Sequence, residues 1–215
     1  MTKNQIIIST KKFVEKKLKN ASSGHGWWHT HRVWKMAKRL AKEEKANSFV
    51  VEISALLHDV WDWKFCDEAT ANKELTDWLK NSKIGSLDAK HISRIVNNVS
   101  FKGVAAKNKI DTLEGRVVQD ADRLDAIGAI GIARTFAYGG HTNRKIYDPD
   151  IKPVLRATEK TYKSLVGTSV NHFHEKLFLL KDLMHTKTAK KIAKKRHEFM
   201  RIYLTRFLSE WEGKK

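Results

Sequence analysis

Ser48-Phe49-Val50-Val51-Glu52-Ile53-Ser54-Ala55-Leu56-Leu57-His58-Asp59 is the stretch on which the reading of this chain turns. It is apolar nearly all round, which marks a helix buried on every side, predicted here over 48–60. It ends in an imidazole and a carboxylate. A carboxylate at the end of a buried helix is costly unless it is paired or binds a cation. The helix dipole adds to that cost, because the C-terminal end already carries partial negative charge. Something positive has to sit beside Asp59.

Outward from this helix the apolar residues keep a helical period. Further helices are predicted near 3–19, 27–46, 68–81, 87–99, 111–137 (with room for a break), 151–166, 170–184 and 188–211. Asp111 followed by Glu114 reads as a capping-box start. Tyr138-Gly139-Gly140-His141 through Asp148-Pro149 reads as a loop. Two prolines and 11 glycines in 215 residues disfavour a turn-rich β fold, and no strand pairs emerge. The expected architecture is an all-α, single-domain helical bundle over 1–215. Its motif-bearing core lies at about 25–147, with C-terminal helices over 151–211 packing on it.

A single cysteine, Cys66, excludes a disulfide framework and a cysteine-based zinc ribbon. No apolar run approaches the roughly 18 residues of a membrane span, and Ile6-Ile7-Ile8 before Lys11 is no signal peptide. A cytoplasmic protein with no membrane partner is expected. The formal charge of +18 is unevenly spread. Residues 1–50 carry 12 positive and 3 negative side chains, residues 51–140 carry 12 and 13, and residues 141–215 carry 18 and 8. The basic run KTAKKIAKKR (187–196) lacks interleaved aromatics, so it is weak evidence for a nucleic-acid partner.

Three segments share the acid–imidazole chemistry. On the helix near 27–46, His29, Val33, Met36 and Leu40 fall on one inward face, while His31 falls about 200° away and is expected to face out with Lys35, Lys38 and Lys42. His58 and Asp59 close the buried helix. In Val117–Ala126, Asp122 shares the apolar face with Val118, Asp125 and Ala126, and three acids in six residues repel one another unless a cation compensates. Two imidazoles and two carboxylates on inner faces suit a hard-to-borderline divalent ion with coordination positions left for water.

The ordered set H29-x-x-R-V33, H58-D59 and A-D122-R-L resembles the HD superfamily of metal-dependent phosphohydrolases. G24-H25-x-W27-x-H29, L56-L57-H58-D59-x-x-D62-x-K64 and Q119-D120-A121-D122-R123-L124-D125-A126-I127-G128-A129 are similar to its YpgQ-like bacterial branch, which includes manganese-dependent nucleoside triphosphate pyrophosphohydrolases. One departure is Gly26, where the branch's GHDW-like motif has Asp. The resemblance implies that His29, His58, Asp59 and Asp122 hold one divalent metal ion, Mn foremost, with Fe, Ni, Co, Zn or Mg also served by such ligands. It implies a nucleotide substrate. Asp62 is then the residue that orients or deprotonates the attacking water, with a simple pairing to Lys64 as its alternative, and Asp125 a substrate-facing carboxylate or the support of a ligating His. Lys64, Arg32, Arg123 and Arg134 are the candidate phosphate contacts, with Lys102 at the rim. Arg123 has a structural alternative, bridging Asp120 or Asp125. The competing readings are a non-catalytic nucleotide or nucleic-acid binding module with a structural metal, a cyclic-nucleotide phosphodiesterase, and a dinuclear iron oxygenase. His25, His91 and His141 lack the spacing a second ion requires. Five of the seven tryptophans lie within five residues of a proposed ligand and are expected to pack the core or shield the site, with a nucleobase stacking on one of them as the alternative. Gly128 and Gly131 are expected to serve close helix packing.

Overall fold

The computed structural model describes residues 1–19, 26–61, 68–99, 110–155 and 167–214. Helix α1 spans Lys3–Leu18, α2 Trp27–Glu44, α3 Ser48–Leu57, α4 Glu68–Asn81, α5 Ser86–Asn98, α6 Leu113–Asp125, α7 Gly128–His141 and α8 Lys187–Trp211. Before α8, a composite helical stretch runs through a π turn (Phe173–Leu177), an α turn (Phe178–Leu180) and a 3-10 turn (Lys181–Leu183). No strand occurs among the described residues, so the all-α expectation holds. None of the described helices is long and apolar enough to cross a membrane.

The chain forms two compact units that divide within α6. In the first, α3 is the central element, packed by α1, α2 and α5. Each of its residues from Phe49 to Leu57 is buried. Asn47 starts it, its Oδ1 accepting the Val50 N–H at 3.4 Å, while its own N–H is taken by Glu114 Oε1 at 2.9 Å. Buried Glu52 is satisfied from outside the helix, accepting from Trp34 Nε1 at 2.9 Å. Ser54 Oγ is buried with no hydrogen-bond partner among the described residues. Ser54→Ala removes that stranded hydroxyl without opening a cavity and should raise stability by about 1 kcal/mol, read from urea melts.

The start of α6 corrects the capping-box expectation. Thr112 is the cap, its Oγ1 accepting the Gly115 N–H at 3.2 Å. Asp111 pairs with Arg94, and Glu114 reaches back to Asn47 and lies 3.8 Å from His91. Both acids of the supposed box are drawn off by tertiary partners. His31 is also placed differently from the outward expectation. It is half-buried against the rings of Trp27, Trp28 and Trp34 at centroid distances of 5.4–5.7 Å. Burial, then Lys11 and Lys35, holds its pKa below the usual histidine value.

In the second unit, α7 continues to His141, so Tyr138-Gly139-Gly140 are helical and the loop begins at Thr142. Gly139 lies against Ser169, whose hydroxyl would have to rotate away from an added Cβ. Residues 151–155 are not helical, and the remainder of the helix predicted over 151–166 lies outside the described residues. The loop is pinned by Ser169 N–H to Lys145 O (2.9 Å) and Val170 N–H to Ile146 O (3.0 Å). The core here is aromatic: Phe173 is fully buried and stacks on Tyr203 with ring centroids 6.2 Å apart.

His172 follows the second of these pins. Burial, then Lys176 and Arg144, lowers its pKa from 6.5 to about 3. The unfolded chain therefore binds a proton there that the folded chain refuses. This contribution to stability is complete above pH 6.5 and declines as the pH falls from 6.5 toward 3. Thermal melts should drop in midpoint across that window, and His172→Gln should flatten the slope.

Candidate metal centre

The first unit brings four polar groups to one point. Helix α2 turns His29 inward, 2% exposed, on the face it shares with Val33 and Leu40. The C-terminal end of α3 delivers His58 and Asp59, 3% and 5% exposed. Helix α6 contributes Asp122, whose side chain is 25% exposed. His29 Nε2 lies 3.2 Å from Asp59 Oδ2, 3.5 Å from Asp122 Oδ1 and 3.3 Å from His58 Nε2. His58 Nε2 lies 3.5 Å from Asp59 Oδ1 and 4.0 Å from Asp122 Oδ1.

These spacings fit an ion. Donors about 2.1 Å from a shared divalent cation stand about 3.0 Å apart at adjacent octahedral positions, and about 3.4 Å apart in a tetrahedron. His29, His58 and Asp59 each offer a donor atom within 4.8 Å of the others, and all three are buried. Two like-charged carboxylates beside two imidazoles, with all but Asp122 buried, are a poor arrangement by themselves and a good one around a cation. Asp122, the least buried of the four, stands where the centre opens to solvent.

The tautomer of His58 is fixed by its own helix. Nδ1 lies 2.8 Å from the Ala55 carbonyl oxygen, which can only accept, so Nδ1 carries the hydrogen and neutral His58 presents a lone pair at Nε2. Sequence reading missed this support, since the partner is a backbone carbonyl three residues back and no side chain signals it.

The other sequence candidates are placed as follows. Asp62, Lys64 and Lys102 lie outside the described residues. Arg32 is half-buried on α2, three residues beyond His29. In the second unit, Arg123 donates to the Leu183 carbonyl and, at 3.1 Å, to His185 Nε2. Asp125 accepts from Arg134 at 2.8 Å, a pairing of two candidates that the sequence did not anticipate.

The HD domain family model matches residues 27–127, which include all four converging groups. Bacillus subtilis YpgQ is 38% identical over 191 residues, covering 87% of this chain and 85% of its own length. Its crystal structure in complex with ADP superposes with a TM-score of 0.77, covering 98% of this chain and 96% of that one. A Lactobacillus plantarum protein is 41% identical with a TM-score of 0.88, covering 99% and 100%. An HD-superfamily hydrolase from Bacillus thuringiensis is 44% identical with a TM-score of 0.79, covering 98% and 99%. A histidine from one helix, a His-Asp pair from the next and an aspartate from a third, converging in a chain this similar to its relatives over nearly its whole length, have one reading: the protein belongs to the HD domain family of metal-dependent phosphohydrolases.

Proposed function

We propose that this protein hydrolyses a phosphoanhydride bond of (deoxy)nucleoside triphosphates in the cytoplasm, with Mn as its metal. The observation that carries the reading is the convergence of His29, His58, Asp59 and Asp122 Oδ1 within 4.0 Å of His58 or His29 Nε2. The nucleotide class is supported by the ADP in the YpgQ complex. A divalent ion bound by these groups supplies Lewis-acid polarisation of a phosphoryl oxygen and lowers the pKa of a bound water.

The chain's own groups divide the remaining work. Ala55 holds the His58 ring in the tautomer that leaves Nε2 free to ligate. Asp59 stands beside both imidazoles, Oδ2 3.2 Å from His29 Nε2 and Oδ1 3.5 Å from His58 Nε2, so its carboxylate would join the two rings around the same ion. Asp62, three residues past Asp59, orients the attacking water and accepts its proton. Lys64 and Arg32 neutralise phosphate oxygens. Arg123, Arg134 and Asp125 are the further substrate-side candidates. The test is product analysis across a panel of nucleoside triphosphates with Mn added. Pyrophosphate or phosphate release is expected, together with the matching nucleotide. A metal-loaded protein silent on the whole panel would refute the substrate class.

A further inference from the structure

Helix α8 begins with five lysines in nine residues: Lys187, Lys190, Lys191, Lys194 and Lys195. All are exposed, and none has an ion-pair partner among the described residues. Three of them, Lys187, Lys191 and Lys195, recur every fourth residue and form one ridge with steps of about 6 Å. The next step on that ridge is Phe199, 48% exposed. The opposite side of the helix, Ala189, Ala193, Met200 and Leu204, is buried and holds the ridge toward solvent.

Lys195 and Phe199 border a shallow groove of about 310 Å³ whose other wall is Ile127, Gly128 and Ile130. Gly128 leaves that wall open, since a Cβ there would lie 3.0–3.2 Å from the Arg196 methylenes. The face therefore joins a row of unneutralised cations to an aromatic ring beside an apolar recess. Read alone, the lysine run has no aromatic partner, and Phe199 supplies one through the helical ridge.

The occupant has to be anionic at regular intervals and carry a flat apolar group. A second copy of the chain would set lysines against lysines. A bilayer, being flat, would leave the groove unfilled. The repeat along the ridge is of the order of the spacing between successive phosphates of an extended strand. We infer that this face binds single-stranded nucleic acid, with backbone phosphates along Lys187, Lys191 and Lys195 and one base against Phe199. The inference uses no residue of the metal centre and stands apart from the substrate proposed above.

Fluorescence anisotropy of the full chain with a labelled oligothymidylate of ~10 nucleotides, titrated over a salt series, tests it. Three phosphate contacts predict that log K falls against log salt with a slope of about −2. Phe199→Ala should weaken binding about tenfold and leave the slope unchanged, while Lys191→Glu with Lys195→Glu should flatten it. Circular dichroism melts matching wild type show that these surface variants fold. Absence of binding at low salt, or full affinity in Phe199→Ala, overturns the inference. So does tighter binding to phosphatidylglycerol vesicles or to a duplex of equal length.

Discussion

Asp59→Ala purifies without metal and turns over substrate at least about 10³-fold more slowly than wild type. The expectation follows from what Asp59 does at the end of α3. It is the carboxylate nearer to both imidazoles, Oδ2 standing 3.2 Å from His29 and Oδ1 3.5 Å from His58, against 3.5 and 4.0 Å for Asp122 Oδ1. Without it, Asp122 alone supplies carboxylate, from a side chain that is 25% exposed. Loss of an outer-shell partner commonly costs 10–100-fold in metal affinity. Loss of a buried direct ligand should exceed the upper end of that range, as read by metal content after desalting and by titration calorimetry. The metal-free variant should melt no lower than metal-free wild type, because the carboxylate removed was buried at an unfavourable helix end. A variant that retains one equivalent of ion would show that Asp59 is not a ligand.

Much of this centre was legible because metal ligation imposes local rules. A helix as apolar as α3 has to be central, and a carboxylate at its end demands a cation. The inward face of α2 selected His29 over His31 by periodicity alone. The break allowed for in 111–137 appears at Ala126–Ile127, between α6 and α7. What was not legible depends on contacts distant in sequence. Asp111 and Glu114 have capping-box spacing, yet Arg94, His91 and Asn47 claim them and Thr112 becomes the cap. The Gly139-Gly140 pair has the composition of a loop, yet both residues lie inside α7, which continues to His141. His31 escapes solvent through three tryptophans at i−4, i−3 and i+3, a ring cluster that periodicity does not predict. The π and 3-10 turns over 173–183 keep the apolar content of a helix while changing its hydrogen-bond register.

The break between α6 and α7 carries the second large expectation. Gly131 sits in the first turn of α7, where an added Cβ would lie 2.3 Å from the Ala126 carbonyl oxygen and 2.6 Å from its carbon. Those are backbone atoms, and they cannot rotate away. The corner is held by Ala126 N–H to Arg123 O and Ile127 N–H to Leu124 O, each 3.2 Å. Gly128 adds a φ of +80°, where a side chain is strained, so the corner cannot easily re-form elsewhere. Helix propensity alone would credit Gly131→Ala with up to about 1 kcal/mol. The clash should reverse that sign and cost about 3 kcal/mol or more. Gly140, later in α7 and with nothing within 4 Å of an added Cβ, is the matched comparison. Gly140→Ala should stabilise by a few tenths of a kcal/mol up to about 1. Urea melts of the two variants beside wild type should therefore move in opposite directions. If Gly131→Ala moves with Gly140→Ala, the corner is looser than its contacts imply, and glycine at 131 is a preference of sequence with no packing requirement behind it.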